Sequence, residues 1–289
     1  MKKIVEYIKL MRCHHYIKNV LIFLPIIFSK NIFNMELLKI TIIGTIAFCL
    51  MSSIVYIIND ILDVEADRKN EKKKFRPIAS GQISIKSAYI LLIVLLFISI
   101  SLNLYIKANI LASILFYGYL IINILYSIKL KHIPIIDITI LASGFLIRVL
   151  YGATITNIEI SNWLYLTILS FSFYMGLGKR RNEFEKMGTN GRQVLTYYNK
   201  SFLHNNMYMC MALGIVFYSL WCIDVNNTIS GAFNIIWTVP FVIIICMKYT
   251  LNIEGDSFGD PVDVILSDWV LLAMGLSYAL IMFLGIYIL

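Results

Sequence analysis

The chain has 289 residues, of which 59% are hydrophobic and only 15% charged, and its mean hydropathy is +0.78. That balance excludes an ordinary soluble domain and marks an integral membrane protein. The formal charge of +8 is gathered in loops, so it gives no ground for a nucleic-acid partner.

In chain order, residues 1–18 (MKKIVEYIKLMRCHHYIK) lack a small-residue cleavage site after an apolar region. They read as a retained interfacial helix. Uncharged apolar runs follow near 40–58, 88–106, 108–128, 160–178, 207–223, 231–247 and 269–289, each close to the ~20 residues that cross a bilayer as a helix. Two weaker spans complete the set: 16–33, interrupted by Lys18 and Pro25, and 134–155, which carries Asp137 and Arg148. The expected fold is therefore all-α, with nine transmembrane helices in one transmembrane domain over 1–289. Long charged connections at 59–86 and 179–205 follow the second and sixth spans, which suggests two four-helix halves plus a ninth helix. Alternate loops then collect 21 of the 25 Lys and Arg residues on one side. That bias places the N-terminus and both long charged loops in the cytoplasm and the C-terminus outside, and the expected location is the plasma (inner) membrane. Cys13, Cys49, Cys210, Cys222 and Cys246 lie in or beside apolar runs, and His14, His15, His132 and His204 show no metal-ligand spacing. The acidic stretch 254–268 reads as a cytoplasmic cap with a Gly-Asp-Pro turn.

The stretch IINDILDVEADRKNEKKKFRPIASG carries the chemistry. If the second span stays helical past Asn59, then Asp60, Asp63 and Asp67 fall on one stripe at i, i+3 and i+7. Three carboxylates that close repel one another unless a cation sits among them, and oxygen ligands select a hard ion, Mg²⁺ or Mn²⁺. The basic block downstream (Arg68, Lys72, Lys73, Lys74, Arg76) supplies cations for a polyphosphate. The alternative is a solvated juxtamembrane loop whose lysines meet anionic lipid.

The pattern NDxxDxxxD, a basic run and RPIxxG resembles the UbiA superfamily of intramembrane prenyltransferases. RCHHYIKNVLIFLP (12–25) is similar to that superfamily's entry helix, with the pair Lys18–Asn19. YSIKLKHIPIIDITILASGFLIRVLYG (126–152) and GLGKRRNEF (176–184) resemble its decaprenyl-phosphate phosphoribosyltransferase branch, as DPVDVILSDWVLLAMGL (260–276) does more loosely. One departure is Asn70–Glu71, where that branch carries a His-Pro pair. Prenyl-transferring members have a second DxxxD, whereas this chain has Lys179, Arg180, Arg181, Asn182 and Glu183. The resemblance implies Mg²⁺ on Asn59, Asp63 and Asp67, with Asp60 in the same catalytic motif. It further implies transfer of 5-phosphoribose from 5-phosphoribosyl diphosphate to a polyprenyl phosphate. Lys73 and Arg76, with Lys179, Arg180 and Arg181, would share the 5-phosphate and the lipid phosphate, and Glu183 is the one carboxylate that remains of the second pair in the substrate site. A phosphate monoester is already largely ionised at neutral pH, its second pKa being about 6, so no general base is required.

Asp137 and Arg148, eleven residues apart on one helix face, read either as the lining of a polar cavity or as groups paired with neighbouring helices. In the first case Asp137 binds ribose hydroxyls or orients Lys129 and Lys131, with Arg148 closing the far end; Gly144 and Gly152, on that face or its edge, admit either close helix packing or a bound ligand. Tyr126 and Tyr197 flank the charged loops as candidate phosphate or ribose contacts. The rival functions are a prenyl diphosphate:aromatic prenyltransferase and a membrane transporter, and a homo-oligomer is compatible with all three.

Overall fold

A computed structural model describes residues 2–71, 73–187, 192–228, 233–255 and 260–288. Twelve α-helices are described: α1 (Lys2–Met11), α2 (Leu24–Phe28), α3 (Met35–Leu62), α4 (Val64–Lys69), α5 (Ile85–Tyr105), α6 (Ile110–Ile128), α7 (Ile136–Thr156), α8 (Asn162–Met187), α9 (Lys200–Thr228), α10 (Val239–Glu254), α11 (Pro261–Ser267) and α12 (Trp269–Tyr287). No strand occurs among the described residues. Five of the starts are set by short polar side chains that accept from otherwise unpaired backbone N–H groups: Asn34 before α3, Ser84 before α5, Asn109 before α6, Asp260 before α11 and Asp268 before α12.

By length and composition, seven of these segments can cross a membrane: α3, α5, α6, α7, Lys200–Asn226 within α9, Ile235–Glu254 including α10, and α12. The two other expected spans take different forms. Cys13–Phe28 is a short apolar segment, wound as a 3₁₀ helix over Cys13–Phe23 before α2 begins at Leu24, with Pro25 in its first turn. α8 is apolar from Asn162 to Gly178 but continues as helix through KRRNEFEKM, so the expected 179–205 loop begins as helix. The expected interfacial helix over 1–18 ends at Met11, because Arg12 adopts left-handed backbone angles (φ 53, ψ 49).

Two compact units divide the chain, one comprising Met1–Leu130 and Ile147–Glu159, the other Lys131–Leu146 and Ile160–Leu289. In the first, α3 is the central helix and packs against α5, α6 and the Cys13–Phe23 segment. Phe48, Phe116, Tyr119 and Tyr151 form its aromatic centre, with Phe48 ring centroids 4.8 Å from Tyr119 and 5.3 Å from Tyr151. In lipid the driving force for such packing is close contact more than water exclusion. Gly152 illustrates this, since a Cβ there would collide with the Ile22 backbone carbonyl. The second unit is built on α8 against α9, with α10 beside them. There the Tyr174 hydroxyl donates to the Cys246 carbonyl at 3.1 Å and pairs with Thr250.

Candidate active site

In the first unit, α3 carries the NDxxDxxxD motif to its C-terminal end. Asp63 closes α3 (φ −93, ψ 6) and α4 starts one residue later. The Asp63 N–H still donates to the Asn59 carbonyl at 2.9 Å, and the Asp67 N–H to the Asp63 carbonyl at 2.8 Å. The i+4 spacing of the backbone bonds therefore survives the break, and the acidic residues keep the register expected of one helix.

Asp60 and Asp67 are 3% and 2% exposed, and cations surround both. Nη1 of Arg76 donates to Asp67 Oδ2 at 2.6 Å and to Asp60 Oδ1 at 3.1 Å. Arg12 Nη2 donates to the same Asp60 oxygen at 2.6 Å. Lys73 Nζ stands 4.0 Å from Asp67 Oδ1. Asn59 Oδ1 accepts from Ser127 on α6 at 3.2 Å, and Asp63 is half-buried. The RPIASG tail holds Arg76 in place: Pro77 and Ile78 are buried, Ile83 N–H returns to the Pro77 carbonyl at 2.9 Å, and Gly81 makes the left-handed turn (φ 78) that an L side chain disfavours. Arg68 instead lies exposed, paired with Glu65 at 2.8 Å. Lys72 falls outside the described residues.

The donor set of Asn59, Asp63 and Asp67 consists of oxygens on consecutive helical turns, which fits a hard divalent ion. Among the described residues no three His, Cys, Asp or Glu side chains come together as a metal cage. A cation here would complete its shell with water and substrate oxygens, as Mg²⁺ commonly does.

Deeper in this unit, the buried Asn19 accepts from Arg148 Nε at 2.7 Å and donates to Cys49 at 3.1 Å. Arg148 also donates to the Tyr119 hydroxyl at 3.0 Å and lies 5.3 Å from the Phe48 ring centroid. Lys18 and Tyr126 are half-buried, and Lys129 is exposed.

The second unit distributes the KRRNE sequence over several different partners. Arg180, fully buried, donates to Asp137 Oδ2 at 2.5 Å and to Glu183 Oε2 at 2.6 Å. The other Asp137 oxygen accepts from the Tyr198 hydroxyl at 2.6 Å. Burial and this bond to a carboxylate push the Tyr198 phenol above its usual range, so it stays protonated and donating. Lys179 Nζ pairs with Asp260 Oδ2 at 3.0 Å, Arg181 Nε donates to His204 at 2.5 Å, and Asn182 donates to the Ile253 carbonyl at 3.0 Å. Glu183 also meets Arg192 at 3.3 Å.

Several expectations change accordingly. Asp137 holds Arg180 and Tyr198, the pairing alternative, in place of ribose hydroxyls or the lysines 129 and 131, of which Lys131 is half-buried. Arg180 is enclosed by carboxylates where a phosphate contact was expected. Tyr197 is 67% exposed, and its neighbour Tyr198 is the one that turns inward. Asp260 caps α11, while 256–259 of the acidic stretch lie outside the described residues. Arg12, at the head of the RCHHYIKN segment, joins this cluster through Asp60 although the sequence does not single it out.

These features define a multi-pass helical membrane protein with an acidic, arginine-bridged motif at the end of a spanning helix. A family model described as the UbiA prenyltransferase family matches residues 26–190, and the chain belongs to that family. It is 32% identical over 288 residues to decaprenyl-phosphate phosphoribosyltransferase of Corynebacterium glutamicum, covering 97% of this chain and 86% of the relative. The Mycobacterium tuberculosis protein of the same name is 31% identical over 246 residues, covering 84% of this chain and 80% of the relative. Among solved structures, a UbiA homolog from Archaeoglobus fulgidus bound to DMAPP and Mg²⁺ has a TM-score of 0.70 at 19% identity, covering 98% of this chain and 100% of the other. That likeness establishes the fold.

Proposed function

We propose that the chain transfers 5-phosphoribose from 5-phosphoribosyl diphosphate to a polyprenyl phosphate, releasing diphosphate. The observation that carries this reading is coverage: likeness to the Corynebacterium glutamicum phosphoribosyltransferase runs along 97% of the chain, and to the Mycobacterium tuberculosis one along 84%. A 4-hydroxybenzoate octaprenyltransferase from Francisella tularensis is matched over only 57%. Replacement of a second DxxxD by Lys179–Glu183 supports the same choice.

Asn59, Asp63 and Asp67 would hold Mg²⁺, which when bound offsets negative charge on the diphosphate. In place of the 5-phosphate or lipid-phosphate contact expected of them, Arg76 and Lys73 would donate to diphosphate oxygens, since both cations stand beside Asp67, and Asp60 would orient Arg76 for this. Lys179 is a further candidate phosphate contact. The bond from ribose C1 to the diphosphate oxygen breaks as an oxygen of the lipid phosphate bonds to C1 from the opposite face, inverting that carbon. Positioning and charge stabilisation supply the catalysis. The expected threading is nine spans in a single catalytic domain, with the acidic motif at the cytoplasmic face of the plasma membrane and the C-terminus outside. The supporting observation is the 21 of 25 basic residues on one side.

Purified protein in polyprenyl-phosphate-containing vesicles should release diphosphate from 5-phosphoribosyl diphosphate, should need the lipid phosphate to do so, and should stop on chelation. Turnover of a prenyl diphosphate with an aromatic acid in place of this reaction would overturn the donor assignment.

A further inference from the structure

We infer that Arg12 is a positioning residue for diphosphate capture, acting through Asp60 on Arg76. The inference rests on the reading of the acidic stripe as a diphosphate site.

Asp60 sits within the NDxxDxxxD motif, yet its contacts are with arginines. Its Oδ1 accepts from Arg12 Nη2 at 2.6 Å and from Arg76 Nη1 at 3.1 Å. The carboxylate is enclosed, while the Arg12 and Arg76 side chains stay 19% and 24% exposed. Arg76 is thus held through Nη1 by both Asp60 and Asp67, and a guanidinium with five N–H donors has spare capacity for a phosphate. Arg12 is itself fixed from three sides. Its backbone adopts left-handed angles, its N–H donates to the Lys9 carbonyl at 3.1 Å, and its guanidinium lies 4.8 Å from the Tyr56 ring centroid. A non-glycine residue keeps such a conformation only where its surroundings demand it.

The electrostatic consequence has a definite sign. With Arg12 present, one carboxylate is shared by two cations, and Arg76 retains net attraction for an anion. Without Arg12 the full charge of Asp60 falls on Arg76, draws it inward and adds a negative charge beside the stripe. Diphosphate affinity falls, whereas affinity for a divalent cation holds or rises. A merely structural role for Arg12 would lower both.

The test uses the full-length chain in detergent, with calorimetric titration of inorganic diphosphate in the presence of Mn²⁺ and spin-resonance titration of Mn²⁺ alone. Arg12→Met should weaken diphosphate binding about tenfold without lowering Mn²⁺ affinity or Tm, and Arg12→Lys should recover part of the loss. In an Asp60→Asn background Arg12→Met should have little further effect, since the route through Asp60 is gone. An equal loss in both backgrounds would mean that Arg12 meets phosphate directly, and no loss in either would remove it from the site. Either result overturns the inference. If Arg12→Met does not accumulate folded, Arg12→Lys carries the same cycle with a smaller, few-fold loss. Wild-type protein that fails to bind diphosphate would sink the site reading itself, a separate outcome.

Discussion

Each compact unit contains a carboxylate–arginine cluster, and the two differ in access to solvent. In the second unit Arg180 and Asp137 are both fully enclosed, and Glu183 bonds to the first and Tyr198 to the second. In the first unit the carboxylates are enclosed, but the cations holding them, Arg12, Lys73 and Arg76, reach water. The same residue types therefore do different work. A closed network fixes the packing of helices, whereas one with exposed cations can exchange partners with an incoming anion.

Three substitutions can break or sharpen that contrast. The largest effect is expected at Asp137→Asn, which leaves Arg180 short of charge in a buried site and should cost about 3–5 kcal/mol of stability, read as a lower Tm in detergent. A chain that kept its Tm and lost only turnover would move Asp137 into the substrate site and erase the distinction. Next, Asp67→Asn in the open cluster should lower turnover about 10²–10³-fold with little change in Tm. Near-normal rates would remove Asp67 from the metal and diphosphate set. The smallest effect is expected at Asp268, which caps α12 and pairs with Lys248 at 2.6 Å. The Lys248 ammonium and the Leu271 N–H hold its carboxyl down to about 2, below the ~3.9 of an unfolded chain. Its stabilisation is therefore present above pH ~3.9 and fades as pH falls toward 2. Asp268→Asn should lower Tm slightly at neutral pH, and the difference should vanish across that acid window. A gap that persisted at pH 2 would assign the effect to something other than this charge.

The acidic stripe was legible because it is local. The interval from Asn59 to Asp67 fits helical periodicity, and the backbone bonds across Asp63 preserve it. The close approach at Gly152 was legible for a similar reason, as a small residue on an apolar helix. Arg12 was not legible, because it meets Asp60 across 48 residues and nothing in its neighbourhood specifies that partner. Tyr197 and Tyr198 show how fine the limit is. Adjacent residues of one type end up on opposite sides of a short 3₁₀ turn, and the fold around Asp137 selects between them.

Membrane embedding, helical class and the acidic motif follow from the sequence alone, because bilayer thickness and helical periodicity act over short distances along the chain. Which cations close on which carboxylates was decided by tertiary structure. A charged side chain in a low-dielectric interior takes the partner that packing brings within hydrogen-bond reach. KRRNE shows the result: within five consecutive residues, Lys179 meets Asp260, Arg180 meets Asp137 and Glu183, and Arg181 meets His204, because each step along α8 turns the next side chain about 100° away.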